Sequence, residues 1–205
     1  MKNKPIEKIG LFGGTFDPVH LGHLIVAEVV ADQLNLNRVI FIPAHIHPLK
    51  NTARIQEPQH RLNMLHLAVQ DNPRFQVSTM ELDKGGVSYT VDTLRAFREI
   101  YPSDGFALFF LLGADNVNQF HLWKEPEELV RLCRFVAFGR PGFTPSEEAR
   151  PYLSAFQFVN VPQIEISATE IRRRVRQGRS IRYMVLPPVL EYIQKHQLYQ
   201  ESRAS

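Results

Sequence analysis

Short runs of almost uninterrupted apolar residues are the feature of this sequence that most restricts its fold. Residues 38–43 (RVIFIP) and 106–112 (FALFFLL) are the clearest examples. A strand with so few polar side chains is buried on both faces, which favours a parallel sheet covered by helices on each side. Segments with helical spacing lie between the runs, for example at residues 21–34 and 59–70. The alternation predicts the α/β class with a mainly parallel sheet.

The same patterns predict the secondary structure of the rest of the chain. We predict further strands at residues 75–80, 135–138 and 156–159, and further helices at residues 88–101, 125–132, 144–152 and 187–198. A turn is predicted at residues 83–86, which contain a glycine pair. Since no internal repeat or linker divides the sequence, we expect one domain over residues 1–205, with a helical subregion at about 165–200.

Charge and cysteine content limit the class of protein. The 205 residues carry a formal net charge of +3, which suits anionic substrates and is weak evidence for nucleic-acid binding. The single cysteine, Cys133, excludes a disulfide within the chain and is expected to be a buried thiol. No apolar run approaches the ~20 residues of a membrane span, and the start of the chain does not resemble a signal peptide. We expect a cytoplasmic monomer or weak homo-oligomer without nucleic-acid or membrane partners.

Residues 10–24 predict a turn that binds an anion. An apolar run ends in the pair Gly13-Gly14 and a helical pattern follows, which is typical of strand–turn–helix. Glycine lets the backbone approach a ligand closely, and the free N–H groups at a helix start favour phosphate. His20 and His23 are three residues apart at the helix entrance, so both rings can reach the same bound group.

Two further segments follow predicted strands and are candidates for the same site. The run at residues 106–112 leads into Asp115, which is a helix cap, a ligand contact or both. Trp123 suits either the core or a platform on which a ligand stacks. In the loop after the second strand, Lys50 is either a phosphate contact or solvated. His45 and His47 are either a metal pair or structural, and no acidic or cysteine partner nearby completes a ligand set.

The end of the chain adds a helix start that is rich in arginine. Ser167 is a good N-cap with Glu170 three residues later, which is a capping box. Arg172 is close enough to that start to reach a ligand there, whereas Arg173, Arg174 and Arg176 are expected to form a solvated basic face.

These segments together offer backbone N–H groups, two imidazoles, a guanidinium and two helix starts. Neither a Gly-x-x-x-x-Gly-Lys loop nor the Gly-x-Gly-x-x-Gly dinucleotide fingerprint is present. No carboxylate pair or Ser/His/Asp order is evident. Donors and positive groups suit a reaction in which negative charge builds on phosphate oxygens.

Two of these segments resemble the signatures of a known superfamily. Residues 13–23 (GGTFDPVHLGH) closely resemble the T/HxGH motif of the nucleotidyltransferases, and residues 166–172 (ISATEIR) resemble their ISxTxxR motif. Residues 88–94, 113–115, 140–142 and 178–183, with Lys50 and Trp123, are similar to those of the bacterial nicotinate-nucleotide adenylyltransferases. The resemblance covers nearly all of the chain. It implies a Rossmann-like, doubly wound, mainly parallel sheet with helices on both faces and a small C-terminal helical part.

The resemblance also implies an activity and a set of site residues. AMP would pass from ATP to nicotinate mononucleotide by in-line attack, giving deamido-NAD and pyrophosphate in NAD biosynthesis, with Mg²⁺ held mainly by the substrate phosphates and no metal ligands from the protein. Catalytic roles are implied for His20, His23 and Arg172. Contacts with ATP are implied for Gly13, Gly14, Thr15, Phe16, His20, His23, Ser167, Thr169 and Arg172. Contacts with nicotinate mononucleotide are implied for Lys50, Thr90, Asp115, Trp123 and Arg140, with Trp123 stacking on the nicotinate ring and Thr90 helping to hold its carboxylate.

The sequence departs from the family pattern at two places. Lys124 follows the tryptophan where an aromatic residue is frequent, which bears on selectivity between acid and amide substrates. Residues 47–50 read HPLK where PPHK is more usual. The rival hypotheses are another adenylyltransferase, such as phosphopantetheine adenylyltransferase, and a non-catalytic nucleotide- or RNA-binding module that uses the surface at residues 172–182. Trp123 argues against the first, and the intact His20/His23 pair argues against the second.

Overall fold

The computed structural model describes residues 6–48, 55–139 and 143–200. Strands and helices alternate along these ranges. The strands are β1 Glu7–Gly14, β2 Arg38–Pro43, β3 Phe75–Val77, β4 Phe106–Gly113, β5 Arg134–Gly139 and β6 Phe156–Asn160. The α-helices are α1 Leu21–Leu34, α2 Pro58–Val69, α3 Met80–Lys84, α4 Thr90–Ile100, α5 Pro126–Leu132, α6 Ala168–Arg176 and α7 Pro187–Lys195. Residues Ala114–Leu122 and Arg150–Ala155 form 3₁₀ helices.

The six strands form one parallel sheet in the order β3-β2-β1-β4-β5-β6. The order runs outward in both directions from the neighbours β1 and β4, so the sheet is doubly wound as predicted. β1 pairs with β4 from Glu7 opposite Phe106 to Phe12 opposite Leu111. A crevice therefore opens beyond the carboxyl ends of these two strands, where doubly wound sheets bind ligands.

Helices cover the two faces of the sheet with separate cores. On one face, Phe12 and Phe41 pack with apolar residues of α1, α2, α6 and α7. On the other face, Ile9 and Leu11 pack with apolar residues of α4, α5 and the first 3₁₀ helix. The apolar strands are thus buried on both sides, which confirms the prediction from their composition. That residues 1–205 form a single domain stays a prediction, supported by the packing of α6 and α7 in the same core as α1.

Four predicted elements differ from the structure. β3 ends at Val77 because it is an edge strand with only three residues paired to β2, and the predicted turn at residues 83–86 overlaps the short helix α3. The predicted helix at 144–152 is wrong: turns lead into the 3₁₀ helix there, and Pro151 cannot sit inside an α-helix. The last helix ends at Lys195, before two residues with positive φ, Gln197 and Tyr199. Within the described ranges, every helix is too short or too polar to span a lipid bilayer.

Replacing Phe135 by alanine tests how much the second core contributes to stability. Phe135 is fully buried and its ring contacts Phe110, Phe120 and Phe156. We expect Phe135→Ala to lower the free energy of unfolding by about 3–5 kcal/mol, because the cavity refills poorly. Phe158→Ala, which removes a half-exposed ring from β6, should cost about 1 kcal/mol or less. Urea unfolding followed by the fluorescence of the single tryptophan measures both, and equal losses would contradict the assignment of this core.

Candidate functional site

A cavity of about 1070 Å³ lies at the carboxyl ends of β1 and β4, and both strand ends line it. The volume exceeds the roughly 300–1,000 Å³ that is common for small-molecule sites, so more than one small ligand fits. Most of the residues predicted to bind ligands come together here: Gly13, Gly14, Thr15, Phe16, His20, His23, Thr90, Asp115, Trp123, Thr169 and Arg172 all line the cavity. The three segments expected to converge are thus neighbours, while the role of each side chain toward a ligand stays a prediction.

The turn after β1 is shaped by the ring of Phe16. Its φ of 49° lies in the left-handed region, which bulky residues rarely adopt. The ring packs against Phe12, Phe41 and the His23 imidazole, with centroids 5.7, 5.7 and 5.0 Å away. A Cβ on Gly14 would lie 3.0 Å from the Phe16 ring. Gly14 therefore makes room for Phe16 as well as for a ligand, and packing holds the strained turn in place.

Two imidazoles are fixed side by side at the start of α1. The rings of His20 and His23 stack with centroids 3.6 Å apart. The backbone N–H of His20 donates to His23 Nδ1 over 3.2 Å. Because Nδ1 accepts, neutral His23 carries its ring proton on Nε2, which is then a donor. Gly22 gives His20 its space, since a Cβ there would lie 3.1 Å from His20 Nδ1.

His20 is buried and uncharged at neutral pH. His20 is 8% exposed, and desolvation lowers the pKa of its imidazole to about 4. Among the described residues, neither His20 Nδ1 nor Thr15 Oγ1 has a hydrogen-bond partner, although both atoms are buried. Such an unmade bond costs about 1–3 kcal/mol. Both residues line the cavity, so binding of a polar ligand that supplies the missing hydrogen bonds is favoured.

Arg172 joins α6 to the turn after β1. Its Nη1 donates to the Asp17 carbonyl oxygen over 2.7 Å, and its Nη2 donates to Thr169 Oγ1 over 3.3 Å. The Asp17 carboxylate is 3.9 Å from Nη1. A guanidinium has five N–H donors and these bonds use two, so Arg172 can also bind an anion in the cavity.

Trp123 combines the two roles that its sequence context left open. The half-buried ring packs against Phe110, Phe120 and Phe135, with centroids 6.1, 5.4 and 6.4 Å away. The same residue lines the cavity. Trp123 is therefore anchored in the second core and still within reach of a planar ligand.

Thr90 and Asp115 each lie in the first turn of a helix. Thr90 is the first residue of α4, so its N–H has no partner inside that helix. Asp115 is exposed in the first turn of a 3₁₀ helix whose N-cap is Gly113, so the prediction of Asp115 as a cap is wrong. A carboxylate in the first turn is still stabilised by the positive end of the helix dipole.

Lys124 belongs to a charged cluster at the edge of the cavity. Its Nζ is 3.3 Å from Asp92 Oδ1 and 4.8 Å from the centre of the Tyr89 ring. Lys84 Nζ is 2.8 Å from the other Asp92 oxygen. These bonds to two ammonium groups lower the pKa of Asp92. One carboxylate thus serves two lysines. Glu81 also lines the cavity and lies close enough to Lys84 for their charges to interact.

Three predicted ligand contacts are not placed in the cavity. Ser167 caps α6 by accepting from the Glu170 N–H over 3.2 Å, which confirms the N-cap, and it is not among the described residues that line the cavity. Lys50 and Arg140 lie outside the described residues. Arg173 and Arg176 are exposed, as predicted for a solvated basic face, whereas Arg174 is half-buried and its Nε donates to the Ser180 carbonyl.

No metal centre is evident in the part of the chain that the structure describes. No group of three or more His, Cys, Asp or Glu side chains in those ranges could hold an ion. His45 is used structurally, since its backbone N–H donates to Ser88 Oγ and its ring lies 3.2 Å from the Gly86 carbonyl. His47 lines the cavity.

Sequence reasoning missed three buried polar residues behind the turn. Arg61, 1% exposed, donates to the carbonyl groups of Thr15, Ala44, His45 and Gln56. The Asp17 carboxylate, 2% exposed, accepts from the Tyr199 hydroxyl over 2.7 Å. The lone arginine among the apolar positions of α2 was the available signal for Arg61. No local pattern joins Asp17 to a residue 182 positions away.

Comparison with known proteins identifies the family of this chain. The model of the family described as cytidylyltransferase-like matches residues 11–174. A protein of Thermus thermophilus named "Probable nicotinate-nucleotide adenylyltransferase" is 47% identical over 192 residues, which cover 94% of this chain and 99% of the relative. A protein of the same name from Geobacillus thermodenitrificans is 44% identical, with 94% and 86% covered.

Solved structures show the same fold. The nicotinic acid mononucleotide adenylyltransferase of Plasmodium falciparum, complexed with NaAD, superposes with a TM-score of 0.77 at 22% identity and covers 94% of this chain and 97% of that one. A nicotinate-nucleotide adenylyltransferase from Vibrio parahaemolyticus, described as putative in its title, superposes with a TM-score of 0.67 at 22% identity, with 96% and 98% covered.

The buried His20 predicts a specific dependence of stability on pH. Its folded pKa of about 4 lies below the unfolded value of about 6.5, so the unfolded chain binds the proton first as pH falls. The stability from neutral His20 is complete above about pH 6.5 and is lost towards pH 4. At about pH 5 the loss is roughly 2 kcal/mol. Urea unfolding at pH 7.5 and 5 should show this extra loss in the wild type and in the exposed control His66→Gln but not in His20→Gln. An equal loss in all three would refute the buried neutral state.

Proposed function

The chain belongs to the nicotinate-nucleotide adenylyltransferases of the cytidylyltransferase-like family, and we propose that it transfers AMP from ATP to nicotinate mononucleotide. A phosphate oxygen of the mononucleotide attacks the α-phosphorus of ATP in line, and the bond from that phosphorus to the bridging oxygen breaks. Deamido-NAD forms and pyrophosphate leaves, as a step of NAD biosynthesis. The observation that carries the proposal is that His20, His23 and Arg172 line the same cavity as Trp123.

The phosphates of ATP would occupy the part of the cavity between the turn after β1 and α6. Gly13, Gly14, Thr15 and Phe16 line this part, and the N–H groups at the start of α1 favour an anion there. We infer that His23 donates from Nε2 to a phosphate oxygen, because Nδ1 is already an acceptor. His20 and Arg172 add a polarisable ring and a fixed positive charge. Thr169 contacts Arg172, and Ser167 acts through the helix start that it caps.

These groups would stabilise the transition state without forming a covalent bond to the substrate. Negative charge grows on the equatorial oxygens and on the leaving pyrophosphate. Donors that are already in position lower the energy of this transition state most. Mg²⁺ would enter with ATP and neutralise phosphate charge. The donor set supports this route, since the cavity presents N–H groups and cations and the described residues form no cluster of metal ligands.

Nicotinate mononucleotide would lie at the Trp123 end of the cavity. The nicotinate ring would stack on Trp123, and its carboxylate would accept from the Thr90 N–H near the positive charge of Lys124. We infer that Asp115, which lines the cavity, also contacts the mononucleotide, and Lys50 and Arg140 remain candidates for further contacts with it.

The experiment that tests the function is pyrophosphate release with ATP and Mg²⁺, comparing nicotinate mononucleotide with its nicotinamide analogue. We expect a strong preference for the acid, because the amide lacks the charge that Thr90 and Lys124 favour. Equal rates would keep the chemistry but indicate dual specificity, and Lys124→Ala would then show whether that side chain is the cause. No release with either substrate would refute the proposal and leave phosphopantetheine, followed by the binding-module hypothesis, to be tested. Exchange of labelled pyrophosphate into ATP by enzyme and ATP alone would contradict direct transfer.

Replacing His23 tests its role in the transition state. We expect His23→Ala to lower kcat on the order of 10²-fold while KM for ATP changes far less, since the lost donor matters most where charge develops. Steady-state kinetics measure both constants. The control His66→Ala removes an exposed imidazole from α2 and should leave both unchanged. An unchanged kcat in His23→Ala would rule the role out.

A further inference from the structure

We propose that Tyr199 is a positioning residue for the ATP site: its hydroxyl occupies the Asp17 carboxylate and so keeps the Arg172 guanidinium available to the phosphates. Tyr199 follows α7 and is 7% exposed. Its hydroxyl donates to Asp17 Oδ1 over 2.7 Å. The proposal rests on the function proposed above only in taking ATP as the anion.

The Asp17 carboxylate lies where it competes with a bound anion for Arg172. Its Oδ2 is 3.9 Å from Arg172 Nη1, just beyond a hydrogen bond. The same Nη1 donates to the Asp17 carbonyl, so a small rotation would bring carboxylate and guanidinium into direct contact. A guanidinium in a close carboxylate pair has fewer donors left for phosphate. The site therefore depends on what else holds Asp17.

Tyr199 supplies the strongest of the other contacts with that carboxylate. The Gln56 N–H donates to Oδ2 over 3.4 Å, a longer bond than the 2.7 Å one from Tyr199. Burial and the neighbouring Asp17 raise the pKa of Tyr199, so the phenol keeps its proton and remains a donor. Loss of the hydroxyl would leave a buried carboxylate short of one partner, with Arg172 as the nearest replacement.

The backbone of the turn is held by Arg61, a second cation whose charge interacts with Asp17 and Tyr199. Arg61 donates to the Thr15 and Ala44 carbonyl oxygens over 2.9 and 2.7 Å. Neither contact involves the Tyr199 hydroxyl. A change that removes only that hydroxyl should thus preserve the backbone around the cavity and alter the balance of charge at its edge.

The test is Tyr199→Phe, which removes the hydroxyl and keeps the ring. We expect the dissociation constant and the KM for ATP to rise about fivefold to tenfold, within the range of one ordinary net hydrogen bond. The KM for nicotinate mononucleotide should stay within about twofold, because we place that substrate at Trp123 and the ATP phosphates at Arg172. Calorimetry with ATP and steady-state kinetics measure the split. An equal rise for both substrates would indicate a merely structural role and overturn the proposal.

Tyr192→Phe is the matched control. The Tyr192 hydroxyl contacts His60 Nδ1 and Asn63 Nδ2, at 2.9 and 2.8 Å, between α2 and α7. It should lose a comparable bond without changing the ATP constants, and an effect equal to that of Tyr199→Phe would overturn the proposal. Urea unfolding of both variants shows that each is folded under the assay conditions.

A double variant separates charge competition from simple loosening. In Asp17→Asn the competing charge is absent, so adding Tyr199→Phe should change ATP binding by less than about twofold. The same fivefold to tenfold loss in that background would overturn the proposal. If the wild type binds ATP but makes no deamido-NAD, the proposed function fails. The role of Tyr199 is still decided by comparing ATP binding in the wild type, Tyr199→Phe, Asp17→Asn and the double variant.

Discussion

The parallel pairing of β1 with β4 is the contact on which the rest of the structure depends. It joins residues far apart in the chain, opposite one another from Glu7 and Phe106 onward. Because the chain winds outward from this pair in both directions, a crevice forms beyond their carboxyl ends. The glycine turn of one strand and the segment leading to Trp123 after the other therefore border one cavity. Helix α6 returns from the far edge of the sheet and brings Arg172 to the same place.

Much of this arrangement could be predicted from the sequence because its causes are local or periodic. Apolar runs and, for β3, an alternating pattern located the strands of the described sheet, and a motif of a few residues located His20 and His23. The resemblance to a family then named the chemistry. Where the prediction was wrong, the reason lies in tertiary context or in a local breaker. An edge position shortened β3, and Pro151 prevented the helix expected over residues 144–152.

The remainder could not be predicted because it depends on contacts between distant residues. The left-handed backbone of Phe16 is held by aromatic packing from β1, β2 and α1. The low pKa of His20 follows from burial beneath elements that meet only in the folded chain. Arg61 stands in the sequence as an ordinary helix residue, yet it holds four carbonyl groups behind the turn. Motifs thus identified side chains that line the cavity but not the groups that hold them in place.

The bond between Asp17 and Tyr199 has a consequence for the order in which the molecule is made. Its two ends are 182 residues apart in the sequence. Contacts of such separation form late, because the intervening chain must first be ordered. During synthesis the glycine turn leaves the ribosome early, whereas its partner emerges only after the whole sheet. A nascent chain can therefore form the sheet and the turn that carries Asp17 before the Tyr199 hydroxyl is there to bond to it.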